Sequence, residues 1–209
     1  MVKIIDCPRD AIQGLKTFIP TEKKIDYFNS LLRVGFDTID FGSFVSHKSI
    51  PQLADTSEVT DGINMEGVKT KLLAIIANLR GAQDACKHEN ITYLGFPFSI
   101  SETFQLRNTH RTIKQSFEII KNINDLCSLN KKELIVHISM AFGNPYQDEY
   151  SFSIVNDWVS RIADLGISTL VLSDTVAVGD AIVIEELFDY IINKYKEIEF
   201  GAHLHTILQ

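Results

Sequence analysis

Short apolar runs that suit β-strands alternate with helix-forming segments along this chain, and the alternation limits the possible fold more than any other feature. The predicted strands are Val2–Asp6, Phe36–Phe41, Lys71–Asn78, Ile91–Ile100, Glu133–Met140, Thr169–Ser173 and Ile198–His205. The predicted helices run from Pro20 or Thr21 to near Gly35, from Pro51 through Val59, from Gly81 to His88, from Asn108 or Thr109 through Ile123, from Ser151 or Ser153 to Gly166, and from Ala181 to Tyr195. Near-continuous apolar strands joined by helices favour a parallel sheet with helical crossovers.

Two architectures have this alternation, an open doubly wound sheet and a (β/α)8 barrel. No Gly-x-Gly-x-x-Gly turn follows the first strand. Polar residues instead gather just after several different strands: Arg9, Asp10, Asp40, Asn78, Ser101, Glu102, Ser139, Asp174, His203 and His205. Barrel active sites are built from the C-terminal ends of many strands. We therefore predict one α/β domain over residues 1–209, a TIM (β/α)8-type barrel with seven strands visible in this chain.

The predicted strand count falls one short of a complete barrel. A barrel needs an eighth strand and usually about 250 residues, whereas this sequence has 209. Leaving the first and seventh strands with unpaired edges would be costly. We expect that either the sequence is truncated or another chain covers the gap.

The composition is that of a globular protein, with 45% hydrophobic residues and a formal net charge of -7. This acidic balance argues against nucleic acid as the main partner. Three widely spaced cysteines without a Cys-x-x-Cys motif indicate reduced thiols in a cytoplasmic protein. We expect no signal peptide and no membrane-spanning helix.

Three smaller features have local interpretations. Cys7 lies beside Arg9 and Asp10, so it is either a reactive thiol or a buried small apolar residue, and burial is favoured. The pairs Lys23–Lys24 and Lys131–Lys132 are interpreted as solvated helix ends.

Two histidines lie two positions apart in the last predicted strand. Alternate residues of a strand share one face, so His203 and His205 point the same way. Two neighbouring neutral imidazoles form half of a divalent-metal site, although such a pair also occurs as a polar strand end. Asp10, after the first strand, would be their neighbour across a barrel mouth. Asp10, His203 and His205 thus predict a metal face with positions open for water or a chelating substrate.

The predicted catalytic groups come from the same strand ends. Arg9 would bring a fixed positive charge and a planar donor fork that suit an oxyanion or enolate. The alternative for Arg9 and Asp10 is a surface turn with a local ion pair. Asp40 and Asp174 are candidate bases, or groups that support the metal ligands.

Several of these residues lie in longer segments that carry a family resemblance. The segments are Cys-Pro-Arg-Asp-Ala-Ile-Gln (7–13), Asp-Phe-Gly-Ser-Phe-Val-Ser-His-Lys-Ser-Ile-Pro-Gln (40–52), Phe-Gly-Asn-Pro-Tyr (142–146), Leu-Ser-Asp-Thr-Val (172–176) and His-Leu-His (203–205). In this order they resemble the 3-hydroxy-3-methylglutaryl-CoA lyases, metal-dependent TIM barrels, over almost the whole chain. The related isopropylmalate and homocitrate synthases share the Arg-Asp and His-x-His pieces but usually have Leu rather than Pro before the Arg.

The resemblance implies cleavage of 3-hydroxy-3-methylglutaryl-CoA to acetyl-CoA and acetoacetate, as in leucine degradation and ketone body formation. It implies Mg²⁺ or Mn²⁺ held by Asp10, His203 and His205. It also implies that Arg9 stabilises the thioester enolate, that His203 transfers protons, and that Asp40 and Asp174 match acidic active-site positions. Substrate contacts are expected from Arg9, Gln13, Ser139, Asn144 and Thr175.

The sequence departs from the family pattern at three places. Asp40 stands where the family usually has Glu, so the carboxylate is one methylene shorter. The Asn metal ligand and the cysteine-containing glycine-rich loop that the family carries on a later strand do not occur here. The His-x-His is followed by Thr206-Ile207-Leu208-Gln209 instead of Asp-Thr-Tyr-Gly.

The sequence is also compatible with two other functions. The chain could condense a 2-oxo acid with acetyl-CoA as a Claisen-type synthase, or it could be an inactive, truncated metal-binding barrel. For either enzyme we expect an acyl-CoA partner, with Lys48 and Arg107, placed in loops after strands, as candidate contacts for the CoA phosphates. A homodimer is a further possibility.

Overall fold

The computed structural model describes residues 2–206, in which strands and helices alternate. The strands are β1 Ile5–Asp6, β2 Thr38–Ser43, β3 Lys71–Ile75, β4 Ile91–Ser99, β5 Glu133–Ser139, β6 Thr169–Asp174 and β7 Glu199–Leu204. The helices are α1 Pro8–Gln13, α2 Thr21–Leu31, α3 Thr56–Gly62, α4 Leu79–Ala85, α5 Glu102–Thr109, α6 Ile113–Leu129, α7 Phe152–Ala163 and α8 Ala181–Ile192, with a short 3₁₀ helix, Pro51–Leu53, before α3.

The order of strands in the sheet follows the order of the chain, from β1 to β7. The pairings of β1 with β2, β2 with β3, β3 with β4, β5 with β6 and β6 with β7 are all parallel. Doubly wound sheets reverse their strand order at a switch point, whereas a TIM-type sheet proceeds in sequence. The prediction of an α/β fold of the TIM-barrel type with seven strands is confirmed.

The chain consists of two compact units. Unit 1 contains the described residues up to Gly95 together with Asp125–Glu133. Unit 2 contains Phe96–Asn124 and the described residues from Leu134 onward. The single domain expected over 1–209 stays a prediction.

Unit 1 is built around β2 and β3. Every residue of β2 is buried, as is expected for a central parallel strand covered on both faces. On one side the ring of Phe28 from α2 meets the ring of Phe41 edge-on, with centroids 5.9 Å apart. Apolar residues that are almost fully buried, Ile39, Leu72 and Leu73, complete this core.

Unit 2 is built around β5, β6 and β7. Helix α7 turns Val155, Val159 and Ile162 into the core, which matches its helical spacing of apolar residues. The indole of Trp158 packs edge-on against the ring of Phe98, with centroids 5.1 Å apart. The cap predicted for α7 is present, because the Ser151 side chain accepts a hydrogen bond from the backbone N–H of Ile154.

Two helices were not predicted. Helix α1 begins directly after β1 with Pro8 at its first position, where the missing N–H of proline is harmless. Helix α5 begins after Ser101, whose Oγ accepts a bond from the backbone N–H of Phe104 at 3.2 Å. Arg107 therefore lies in a helix, and its predicted place in a loop is wrong.

The long helix α6 begins later than predicted. The expected cap at Asn108 or Thr109 is wrong, because both residues belong to the last turn of α5. His110 ends that helix in the left-handed conformation, with φ 56°. The side chain of Thr112 then accepts a bond from the backbone N–H of Gln115 at 3.1 Å, as a capping residue does before Ile113.

Two lysines predicted to be solvated are anchored inside unit 1. Lys24 is buried and its Nζ donates to the backbone oxygen of Gln52 and, at 2.7 Å, to Asp55 Oδ1. Lys132 Nζ donates to the backbone oxygens of His88 at 2.8 Å and Ile91 at 2.6 Å. Both side chains hold segments far apart in sequence, which their charge alone does not reveal.

Within residues 2–206, none of the helices combines the length and apolar character that crossing a bilayer requires.

Candidate functional site

The polar residues after β1 and on β2 form one hydrogen-bonded cluster in unit 1. Arg9 lies in the first turn of α1 and is mostly buried, and Asp40 on β2 is almost fully buried. Arg9 Nε lies 3.1 Å from both oxygens of Asp40, and Arg9 Nη2 lies 2.6 Å from Asp40 Oδ2. This is the planar fork-to-carboxylate pairing for which arginine is suited.

The other end of the same guanidinium holds two residues of its own helix. Arg9 Nη1 donates to Asp10 Oδ1 at 2.7 Å and to Gln13 Oε1 at 2.9 Å. Gln13 Nε2 in turn donates to Asp10 Oδ1 at 2.8 Å. The structure therefore brings Arg9, Asp10, Gln13 and Asp40 together, and the alternative of a solvated surface ion pair does not describe this buried arrangement.

The electrostatics of this cluster keep the arginine charged and the neighbouring thiol protonated. Burial would lower the pKa of Arg9, but the negative charges of Asp40 and Asp10 outweigh it and hold that pKa above its ordinary value. Burial, together with the charge of Asp40, raises the pKa of Cys7 to about 12. Cys7 therefore carries no thiolate near neutral pH, which supports the interpretation of a packed thiol over a nucleophile.

In unit 2, His203 on β7 and His205 directly after β7 lie side by side, as strand alternation predicts. His203 Nε2 and His205 Nε2 are 3.1 Å apart. His203 is half-buried and lies in register with Ser173 of the neighbouring strand, whereas His205 is exposed. The ring of His137 on β5 meets the ring of His203 edge-on at 6.3 Å.

The tautomer of His205 follows from its second hydrogen bond. His205 Nδ1 lies 3.0 Å from the backbone oxygen of Thr175, and a carbonyl oxygen can only accept. The proton of neutral His205 is therefore on Nδ1, and Nε2 keeps a lone pair directed at the side where His203 Nε2 lies. A backbone carbonyl that fixes a histidine in this way is a common support for metal-binding imidazoles.

The spacing of the two nitrogens fits a shared ion. Metal–nitrogen bonds of about 2.1 Å at a right angle separate the two nitrogens by about 3 Å. The observed separation is 3.1 Å. The donor set of this histidine pair thus fits a divalent cation.

The turn after β6 positions the carbonyl that holds His205. Asp174 ends β6 and is almost fully buried. Its Oδ1 accepts from the backbone N–H of Val178 and its Oδ2 from that of Gly179, both at 3.0 Å. Ala177 inside this turn has φ 54°, a conformation that the two bonds to Asp174 help to hold. The described contacts of Asp174 shape this turn, and its catalytic role stays a prediction.

Three predicted substrate contacts also lie in unit 2. Ser139 is the last residue of β5 and is mostly buried. Thr175 Oγ1 accepts from the backbone N–H of Met140 at 3.2 Å, so it joins the ends of β5 and β6. The amide of Asn144 is used within its own loop, donating to the backbone oxygen of Asp148 at 3.0 Å. Substrate binding by all three stays a prediction.

One residue that supports the site was not singled out from the sequence. Gln52 is almost fully buried, and its side chain accepts from the backbone N–H of Ile19 at 2.8 Å and donates to the backbone oxygens of Leu15 and Thr17. These bonds hold the segment between α1 and α2. Its place in the Pro-Gln pair of the quoted 40–52 segment was the signal by which the sequence could have indicated it.

The unusual continuation after His205 begins at Thr206, and its residues 207–209 lie outside the described part of the chain.

The fold and the polar strand ends define a TIM-type α/β protein with a buried arginine–carboxylate cluster and a histidine pair suited to a metal. The chain belongs to the HMGL-like family, whose model matches residues 1–208.

Comparison with individual proteins agrees with this family. The hydroxymethylglutaryl-CoA lyase YngG of Bacillus subtilis is 29% identical over 201 residues, which are 95% of this chain and 66% of that protein. A crystal structure of the Bacillus subtilis HMG-CoA lyase superposes with a TM-score of 0.92 at 28% identity, covering 98% of this chain and 68% of that one. An HMG-CoA lyase from Acinetobacter baumannii, solved in complex with coenzyme A and 3-methylmalate, superposes with a TM-score of 0.88 at 30% identity. The match covers 96% of this chain and 66% of that one. This chain thus spans about two thirds of the length of each of these relatives.

Proposed function

We propose that this chain acts as a carbon–carbon lyase that cleaves 3-hydroxy-3-methylglutaryl-CoA, or a similar 3-hydroxyacyl-CoA, to acetyl-CoA and acetoacetate. Membership of the HMGL-like family and the similarity to HMG-CoA lyases support a lyase. The observation that carries the metal-dependent part is the pair of His203 and His205 nitrogens 3.1 Å apart, with the Nδ1 of His205 committed to a backbone carbonyl.

Asp10, His203 and His205 would together hold one divalent ion, Mg²⁺ or Mn²⁺. One carboxylate and two imidazoles form a donor set that leaves further positions open for a chelating substrate. When bound, the ion would supply Lewis acidity that lowers the pKa of the substrate's tertiary hydroxyl. Arg9 and Gln13 both contact Asp10 Oδ1, so they hold this carboxylate in one orientation.

Arg9 would stabilise the enolate that forms when the carbon–carbon bond breaks. Its Nε and one Nη2 hydrogen are taken up by Asp40, and its Nη1 by Asp10 and Gln13. Among the bonds of the described residues, the second Nη2 hydrogen remains for the substrate. Because Asp40 holds the guanidinium in place before the substrate arrives, little reorganisation is needed as negative charge develops.

Proton transfer would fall to His203, whose imidazole lies beside the reacting hydroxyl in this scheme. Asp174 would act on the site through its turn, since that turn positions Thr175 and thereby His205. Gln13, Ser139, Asn144 and Thr175 are proposed to contact substrate.

The acyl-CoA partner is proposed from the complex of the Acinetobacter baumannii lyase with coenzyme A. Cytoplasmic localisation and a homodimer stay predictions.

The test measures metal binding and turnover separately. Mn²⁺ affinity is determined by calorimetry for the wild-type chain and for Asp10→Asn, His205→Gln and the control Asp26→Asn, an exposed aspartate of α2. Release of acetyl-CoA from 3-hydroxy-3-methylglutaryl-CoA is followed with Mg²⁺ or Mn²⁺ and after chelation. We expect Mn²⁺ binding to be at least about tenfold weaker in Asp10→Asn and His205→Gln and unchanged in Asp26→Asn. We also expect that chelation abolishes turnover.

Each contrary result has a separate meaning. Unchanged Mn²⁺ affinity in Asp10→Asn would remove the proposed metal site. Turnover with 2-oxo acids and acetyl-CoA, but not with the hydroxyacyl-CoA, would select the synthase alternative. Metal binding without turnover on any of these substrates would leave an inactive metal-binding chain.

A further inference from the structure

A second group of reactive side chains lies in unit 1, apart from the arginine–carboxylate cluster. Ser57 and Asp61 lie one turn apart on α3, and His88 follows α4. His88 Nε2 is 2.8 Å from Ser57 Oγ, and His88 Nδ1 is 3.1 Å from Asp61 Oδ1. We propose that Ser57, His88 and Asp61 act as nucleophile, general base and orienting carboxylate, and that Ser57 attacks activated acyl esters in an esterase activity distinct from the lyase reaction.

The hydrogen-bond directions agree with these roles. An ionised carboxylate can only accept, so the short contact to Asp61 places a proton on His88 Nδ1. In the neutral ring His88 Nε2 then has a lone pair and accepts from the Ser57 hydroxyl. A nucleophile bonded to a base, with the base held by a third group, is the arrangement that activates serine on unrelated folds.

The ring of His88 is held in this orientation by its surroundings. Only 12% of its side chain is exposed, and its ring lies 5.6 Å from the ring of Phe44. Lys132 Nζ donates to the backbone oxygen of His88 at 2.8 Å, which holds the segment that carries the ring. A base kept in one rotamer by packing is a feature that effective catalytic arrangements need.

The proposed nucleophile and base border a groove that can admit a small molecule. The groove has a volume of 570 Å³, within the usual size range of ligand pockets, and both Ser57 and His88 line it. Ser57 is exposed, so its hydroxyl is accessible. Basic residues (Lys48, Arg80 and Lys87) and acidic residues (Glu58 and Asp84) both line the groove, so its charges are mixed and a small neutral ester is a suitable substrate.

The proposed reaction balances with water as the only co-reactant. His88 Nε2 takes the hydroxyl proton while Ser57 Oγ forms a bond to the ester's carbonyl carbon. The bond from that carbon to the alcohol oxygen breaks, and the alcohol leaves with the proton from His88. Water then releases the acid from Ser57 by the same steps, regenerating the hydroxyl.

The experiment uses the full chain and p-nitrophenyl acetate as the probe. Nitrophenol release is measured, and the acetylated residue is located by mass spectrometry after a rapid quench. We expect acetyl on Ser57, and at least about a hundredfold slower release in Ser57→Ala and His88→Gln. The control Ser30→Ala removes an exposed helical serine whose Oγ donates to the backbone oxygen of Asp26, so it should leave the rate unchanged.

Asp61 is a positioning residue in this scheme and is tested by rescue. Asp61→Asn should slow acetylation of Ser57 by about tenfold or more, and Asp61→Glu should restore part of the rate, since it restores the carboxylate. Chelation of divalent metal should change neither the rate of Ser57 acetylation nor the rate of nitrophenol release, and this separates the esterase activity from the lyase activity. Acetylation of Ser57 no faster than that of Ser30 in the wild-type chain would overturn the proposal, as would an unchanged rate in folded His88→Gln.

Discussion

Removing the carboxylate of Asp40 should strongly destabilise unit 1, because it leaves the buried guanidinium of Arg9 without its main partner. Asp40 is 2% exposed and Arg9 is 9% exposed, so water cannot replace the lost bonds without a rearrangement. Arg9 Nε and Nη2 both donate to this carboxylate, at 3.1 Å and 2.6 Å. Breaking a buried pair of this kind costs about 3–5 kcal/mol. For a chain of this size, that corresponds to a fall in the thermal midpoint of about 6–20 °C.

The assay is thermal unfolding of Asp40→Ala, Asp40→Glu and Asp26→Asn beside the wild-type chain. The exposed control Asp26→Asn should stay within about 0.5 kcal/mol of wild type. Asp40→Glu keeps the charge and differs by one methylene, so it should lose less than Asp40→Ala. The double variant Arg9→Met, Asp40→Leu removes both charges and should be less destabilised than Asp40→Ala alone.

Two results would refute this reasoning. A loss below about 1 kcal/mol in Asp40→Ala would mean that Arg9 finds solvent or another partner easily, as exposed ion pairs do. A double variant that is less stable than Asp40→Ala would mean that packing around these side chains, and not the uncompensated charge, sets the cost.

Three further predictions concern other groups of unit 1. Lys24→Ala should lose about 3–5 kcal/mol of unfolding free energy in chemical denaturation, whereas Lys23→Ala, on the exposed side of α2, should change it by at most about 0.5 kcal/mol. Gly81→Ala would place a Cβ against the backbone oxygen of Phe44 and should cost about 1–3 kcal/mol. A Cβ at Gly14 meets nothing within 4 Å, so Gly14→Ala should be neutral or stabilising; thermal unfolding checks both. The pKa of Cys7 is raised from 9.0 to about 12 in the folded state, so the native thiol should resist alkylation at pH 8, as alkylation rates will check. Its contribution to the free energy of unfolding should be present below about pH 9 and lost as the pH rises toward 12, because only the unfolded state loses the thiol proton in that range. Unfolding measured as a function of pH will check this.

Local patterns in the chain were enough to predict the fold class and the placement of two histidines side by side. Apolar runs and helical spacing predicted the seven strands, because burial on both faces of a parallel sheet leaves a continuous apolar signal. The period of two residues in a strand placed His203 and His205 on one face, and their nitrogens lie 3.1 Å apart. Shorter helices such as α1 and α5 were missed, since six to eight residues carry too little periodicity to be recognised.

What the sequence by itself determined is the order of strands and helices, the sharing of a face by the two histidines, and the family to which the chain belongs. Only the tertiary structure decided how these groups are charged and oriented. Arg9 is held by Asp40, 31 residues away, and the tautomer of His205 is fixed by the backbone of Thr175, 30 residues away. Burial of Lys24 and the contact of His88 with Ser57 and Asp61 likewise depend on segments that meet only on folding. Local periodicity reports which face of an element is buried, whereas hydrogen-bond partners and pKa values depend on contacts between distant residues, and these appear only when the chain has folded.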